Sequence, residues 1–369
     1  MGIELSGPDI TQAEIDAVAD VMRSGRLSLG PRVPEFEEAV ARYCGTKHAV
    51  AVSSGTCGLH LLARAIGVRP GTEVITTPFS FVASSNCVLF EGGRPVFVDI
   101  DPDTWNIDVE RMAAAVTPRT IALLPVDVFG QVAPMDRVTQ IAAAHRLRVI
   151  EDSCEALGGT CRGRRAGSFG DAGVFGFYPN KQITTGEGGM IVTNDDEIAR
   201  LCFSMRNQGR DTGMNWLSHE RLGYNYRLSD VNCAIGVVQM RRIDEILRRR
   251  SQVARWYADR LRGESRLSMQ KILPECEMSW FVFVVKLADD YAPAARDAII
   301  HKLRGRGIGS NIYFAPIHLQ KFYAEQFGYK AGAFPICERV AARTIALPFH
   351  NGLSESDVDH VCETVRTLL

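Results

Sequence analysis

The chain of 369 residues is 46% hydrophobic and 23% charged, long enough for a large core divided between two domains. Its 42 basic and 43 acidic residues nearly cancel, so there is no electrostatic footprint for nucleic acid or an anionic membrane, and small molecules are the expected partners. No run of about 18 apolar residues occurs, so no membrane-spanning helix is expected.

The opening MGIELSGPDI lacks the basic and apolar regions of a signal peptide, which predicts a cytosolic location. The ten cysteines include no C-x-x-C pair and no zinc-type His spacing, so free thiols and no metal are expected. From about 48 to 195 strand-like and helix-like pieces alternate. AVAVSS, EVITTP, RPVFVDI, TIALLPVDV, LRVIEDS, AGVFGFY and GMIVTND read as strands, while GLHLLARAIG, FVASSNCVLFEG and APMDRVTQIAAAHR have helical spacing. This is the pattern of a doubly wound α/β domain with a mostly parallel sheet.

Residues 205–228 read as loop. The stretch 229–263 then predicts one long or two consecutive helices, with Ser229 as N-cap. Six arginines fall between 241 and 255, but Asp244 and Glu245 interleave with them at helical spacing, which describes a solvated helix better than a nucleic-acid stripe. WFVFVVKL and ARDAIIHKLRGRG predict a strand and a helix of a smaller α+β domain. The division expected is a large domain over 1–245 and a small C-terminal one over 246–369.

Three motifs carry the chemistry. In SSGTCGLHLLARAIG (53–67) a strand ends in a Ser-Ser-Gly-Thr turn before a helix, whose free N–H groups and dipole favour an anion. A plain N-cap would explain that motif taken alone. VIEDSCEALG (149–158) sets Asp152 just past a strand's carboxyl end, where open α/β sheets bind ligands, although a structural cap would look the same. FGFYPNKQITTGEGG (175–189) ends an apolar strand in a single lysine, Lys181. Together they fit pyridoxal phosphate, which needs an anion cradle (Thr56), a carboxylate for its ring nitrogen (Asp152) and a lysine for the Schiff base (Lys181).

At this point the chain resembles the DegT/DnrJ/EryC1/StrS family of sugar aminotransferases over nearly its whole length. Ordered matches run from GRLSLGPRVPEFEEAVARYCGTKHAVAVSSGT through TPFSFVASSNCVLFEGGRPVFVDIDPDTWNID, VDVFGQVAPMD, VIEDSCEALG, GSFGDAGVFGFYPNKQITTGEGG, RNQGRD and GYNYRLSD to PIHLQ and LPFH. The resemblance implies the fold-type-I, aspartate-aminotransferase-like fold. It implies that Gly55, Thr56 and the N–H of Cys57 hold the phosphate, that Phe81 stacks on the cofactor ring, that Asp152 partners the pyridine nitrogen and that Lys181 is the catalytic lysine. Asn225 in GYNYRLSD resembles the asparagine that reaches the neighbouring subunit's phosphate, which implies a homodimer with shared sites.

Two positions depart from the family pattern. Gly176 stands where many members have a phosphate-binding serine, leaving Ser53, Ser54 or a backbone amide to substitute. Glu155 stands where Gln or His faces the cofactor's phenolic oxygen, so it must carry a proton or point elsewhere. A lysine at 181, not the histidine of the related dehydratases, implies a transaminase. The implied reaction passes an amino group from L-glutamate or L-glutamine to a keto sugar, a nucleotide-linked 4-keto or 3-keto hexose or else a cyclitol ketone, for surface polysaccharide or a secondary metabolite. RLSLGP (26–31) and NIYFAPIHLQ (311–320) match sugar-lining segments, so Tyr313 and His318 are candidate substrate contacts, a buried core histidine being the other reading of His318. Another fold-type-I enzyme such as a lyase, or a non-catalytic cofactor-binding regulator, would share the cofactor motifs.

Overall fold

The computed structural model describes residues 2–369 except Thr212, Met214 and Trp216. In chain order the first half contains α1 (Gln12–Ser24), α2 (Arg32–Cys44), β1 (His48–Val52), α3 (Gly55–Ala65), β2 (Glu73–Thr76), α4 (Ala83–Phe90), β3 (Arg94–Phe97), α5 (Val109–Ala114), β4 (Thr120–Leu123), α6 (Met135–His145) and β5 (Arg148–Asp152). A short hairpin, β6 (Thr160–Cys161) and β7 (Arg164–Arg165), leads to β8 (Ala172–Gly176), β9 (Gly189–Thr193) and α7 (Asp196–Arg206).

Seven of these strands form one sheet in the order β1-β9-β8-β5-β4-β2-β3, and they are the seven that apolar runs predict. β9 runs antiparallel to both its neighbours while the other pairs keep one direction, so the carboxyl ends of β1, β5 and β8 emerge on the same side. Side chains alternate between two cores, as a strand covered on both faces requires. Ala49 and Ala51 meet Phe36 and Val40 of α2 and Val237 of α8 (Asp230–Arg241), whereas Val50 and Val52 meet Leu59 and Leu62 of α3 and Cys202 of α7. At Gly236 an added Cβ would stand 2.6 Å from the Phe36 ring, so α8 approaches α2 more closely than a side chain there permits.

The predicted 229–263 helix is two helices, α8 and α9 (Ile243–Leu261), broken at Arg242, and Ser229 caps α8 by accepting the Asn232 N–H at 3.2 Å. Thr212, Met214 and Trp216, within the stretch read as loop, lie outside the described residues. Beyond α9 come β10 (Leu267–Met269), β11 (Cys276–Glu277), β12 (Phe283–Leu287), α10 (Pro293–Gly305), α11 (Lys321–Phe327), α12 (Pro335–Ala341), β13 (Thr344–Leu347) and α13 (Glu355–Leu368).

β10, β12 and β13 form a second, antiparallel sheet. Its core joins Val253 and Tyr257 of α9, Ile299 and Leu303 of α10 and Val361 of α13. Residue 245 falls in the first turn of α9, and Ile3 packs on this second core after pairing with Ile308. No described helix is long and apolar enough to cross a membrane, and all ten cysteines are free.

Candidate active site

A cavity of about 520 Å³ opens where the carboxyl ends of β1, β5 and β8 meet. Its floor comes from the segments that follow those strands: Ser54, Gly55 and Thr56 from the start of α3, Asp152 and Glu155 after β5, and Lys181 after β8, while Asn180 beside it meets the wall. Phe281, Tyr313 and Phe314 complete the wall from the C-terminal part of the chain.

The first turn of α3 is held tightly in place. Ser54 is its N-cap, with Oγ accepting the Cys57 N–H at 3.1 Å, and a Cβ at Gly189 would come within 2.5 Å of the Ser54 main chain, so only glycine lets β9 pass beneath. At Gly55 a Cβ would meet Cys154 Sγ at 2.8 Å. The cap consumes the Cys57 N–H and leaves those of Gly55 and Thr56, at the positive end of an 11-residue helix, for an anion. A Cβ at Gly176 would sit 3.5 Å from Cys154, in ordinary contact, so space permits a side chain there and the sequence omits it.

Asp152 ends β5 and is 5% exposed. Its Oδ2 accepts from Ser84 Oγ at 2.6 Å and its Oδ1 from the Cys154 N–H at 3.2 Å. Both oxygens are thus fixed by neutral donors, in a side chain that lines the cavity. Ser84 was not foreseen from sequence, although it lies one helical turn after Phe81, in the first turn of α4, with its hydroxyl on Asp152.

Lys181 Nζ lies between a carboxylate and a ring face, 3.7 Å from Glu155 Oε1 and 3.9 Å from the centre of the Phe281 ring. Among the described residues lining the cavity it is the one cation. Glu155 turns its other oxygen to the Phe129 N–H at 2.9 Å. Burial pushes its carboxyl above the usual range, with the Lys181 ammonium opposing that shift. Behind it the wholly buried Asp127 carboxyl is also raised by desolvation, and burial lifts the Cys154 thiol well above its ordinary value. Burial thus disfavours the charged form of all three groups.

The remaining predicted residues are placed unequally. Cys57 belongs to the α3 turn, and Phe81 lines the cavity while 62% exposed, so it is not a core aromatic. Tyr313 faces the cavity with its hydroxyl 3.3 Å from Asn180 Nδ2, and burial raises it to about 12. Asn180 Oδ1 is buried with no partner, a free acceptor in the wall. His318 does not line the cavity: it is fully buried, with Nε2 3.0 Å from Glu338 Oε1 and its ring edge against Phe334. Asn225 is exposed, bridges to Asn207 and does not line its own chain's cavity.

The donor set fits pyridoxal phosphate. An unfilled helix N-terminus, a buried carboxylate held by neutral donors and one amine face a single cavity, large enough for a cofactor with a substrate beside it.

Comparison with known proteins agrees. The model of the DegT/DnrJ/EryC1/StrS aminotransferase family matches residues 8–366. The chain is 38% identical over 372 residues to GDP-perosamine synthase of Caulobacter vibrioides, covering 100% of this chain and 98% of the relative. Among solved structures it is similar to Helicobacter pylori PseC, an aminotransferase involved in the biosynthesis of pseudoaminic acid (TM-score 0.95, 28% identity, 100% and 99% of the two chains). It is equally similar to the PLP form of Spr1654 from Streptococcus pneumoniae (TM-score 0.95, 29% identity, 100% and 98%).

Proposed function

Because the chain belongs to the DegT/DnrJ/EryC1/StrS aminotransferase family and is a pyridoxal-phosphate-dependent aminotransferase of amino-sugar biosynthesis, we propose that it moves the amino group of L-glutamate or L-glutamine to a nucleotide-linked 4-keto or 3-keto hexose. The observation that carries this reading is the convergence of Lys181, Asp152 and the α3 N-terminus on one cavity.

When bound, pyridoxal phosphate supplies an electrophilic carbon and a ring that accepts the electrons released as the donor's α-proton leaves. The chain's own groups do the rest. Gly55 and Thr56 N–H groups hold the phosphate, and the Ser54 hydroxyl, which accepts from Cys57 N, still has its proton to donate where Gly176 offers none. Phe81 covers one face of the ring. Asp152 keeps the ring nitrogen protonated, held in register by Ser84. Lys181 would take the proton from the donor's α-carbon and return it to the cofactor's C4′, and do the reverse for the keto sugar. Glu155, whose carboxyl burial raises, would face the cofactor's phenolic oxygen, where a proton on one of the two relieves their repulsion.

Tyr313 and Asn180 face the acceptor. His318, in the core against Phe334, lies outside the cavity lining. Asn225, exposed and turned from its own cavity, serves the phosphate of a second copy, so the working form is a homodimer with shared sites in the cytosol. In this reading residues 1–245 hold the cofactor and 246–369 form the smaller domain.

The test is the visible absorption of the protein loaded with pyridoxal phosphate, with L-glutamate or L-glutamine added and no acceptor present, beside a Lys181→Ala variant. Conversion of the visible band to that of the amine form by wild type alone is expected. If the cofactor binds and neither donor converts it, the transamination assignment fails.

A further inference from the structure

Arg250, on α9, is a buried cation without a buried anion. It is 3% exposed, forms no ion pair with any described carboxylate, and burial lowers it to about 10. Desolvating a guanidinium in this way is costly unless its donors are used. They are used on main chain: Nη2 donates to the Lys181 carbonyl at 2.7 Å, and Nη1 to the Phe281 carbonyl at 3.2 Å and the Trp280 carbonyl at 3.4 Å. Nε has no partner, and the planar group rests against Phe349, 5.6 Å from the ring centre.

These carbonyls belong to two segments far apart in sequence, whose side chains meet in the cavity as the Lys181 amine and the Phe281 ring, 3.9 Å apart. We propose that Arg250 is a positioning residue that fixes the Lys181 amine against Phe281 by clamping the main chain of both segments from α9. The planar fork is what allows it, because two nitrogens in fixed geometry reach two strands of chain at once, which a single ammonium does not. The clamp also ties the loop after β8 to a helix that packs on the second sheet, so the lysine takes its position from both sheets. The proposal rests on Lys181 being the reactive amine.

The test compares wild type, Arg250→Met and Arg250→Lys, each first checked for folding by circular dichroism and thermal melting. Two rates are then read: capture of pyridoxal phosphate by the apo-protein, with Lys181 identified by borohydride fixation and peptide mass, and conversion of the loaded protein by L-glutamate. Arg250→Met is expected to fix cofactor at Lys181 to the same final extent but about tenfold more slowly. Its glutamate conversion should be about 10²-fold slower, as for displacement of a reacting group by about 1 Å, with an unchanged half-saturating glutamate concentration. Arg250→Lys should recover stability and little of the rate. If Arg250→Met does not fold, the lysine variant carries the test. Wild-type rates in whichever folded variant is measured, whatever its melting temperature, overturn the proposal. Failure of wild type itself to fix cofactor at Lys181 overturns the lysine assignment first, a result visible without any Arg250 variant.

Discussion

The floor and the wall of the cavity are built differently. On the floor, Asp152 is the last residue of β5 and the Gly55–Thr56 turn follows β1 by two residues, with partners close by for Asp152 (Ser84) and the Cys57 N–H (Ser54). In the wall, Phe281 precedes β12 and Tyr313 lies between α10 and β13. Tyr313's hydroxyl contact is Asn180, whose other amide atom has no partner. Groups that must hold one geometry through every cycle stand on strand ends, while groups that discriminate among acceptors stand on connections, where sequence can vary without disturbing the sheet.

The largest expected effect therefore lies on the floor. Asp152→Ala should slow conversion by L-glutamate about 10³-fold, the scale of losing one preorganised electrostatic partner, while Ser84→Ala, which removes only an orienting donor, costs far less. Stopped-flow absorbance measures both. Equal losses in the two variants would mean that Ser84, not the carboxylate itself, limits the floor.

Next is the packing beneath the phosphate turn. Gly55→Ala forces a Cβ to 2.8 Å from Cys154 Sγ, an overpacking cost of about 1–3 kcal/mol expressed as weaker cofactor binding. The double variant with Cys154→Ala should restore most of that affinity by calorimetry. If it does not, the close approach of Gly55 to Cys154 is not what requires a glycine there.

The wall should respond more mildly. Tyr313→Phe removes one neutral hydrogen bond, about 0.5–1.5 kcal/mol, and should raise the KM for the keto sugar up to about tenfold while leaving the glutamate half-reaction alone. An equal change in both half-reactions would place Tyr313 with the floor.

This division also decided what could be read from sequence. All seven strands of the large sheet were legible because a strand buried on both faces is a short continuous apolar run, and Asp152 and Lys181 were legible because each stands where such a run ends. Ser84, Phe281, Asn180 and Arg250 were not. Their roles come from contacts across long separations, such as the 69 residues between Arg250 and Lys181, which leave no periodic trace. α9 shows the limit well, since its run of arginines read as a solvated face while Arg250 within it is buried. α1 and α2 precede the α/β alternation that begins at residue 48, and α1 buries only Glu14 and Val21, too few positions to mark an apolar face.

The smallest expected effect concerns His318, whose sequence neighbourhood pointed to the sugar and whose position is in the core. Its Nε2–H donates to Glu338, and Nδ1 is buried with no partner, so protonation would bury an unsatisfied N–H. Burial accordingly lowers its titration below 6.5 despite the carboxylate. A histidine depressed in the folded state contributes stability that is present above its unfolded value and lost as pH falls through the folded one. Wild type should thus lose stability on acidification below about pH 6.5, at most about 1.4 kcal/mol for each unit of depression, and His318→Gln should lack that component. Glu338, held below the ordinary carboxylate range mainly by the Gly332 and Phe334 N–H groups and His318, titrates in a lower window and does not mask it. Denaturant melts from pH 5 to 8 measure the slope, and the half-reaction with glutamate should be unchanged. A glutamine variant that keeps the slope but loses keto-sugar turnover would return His318 to the wall as a substrate contact.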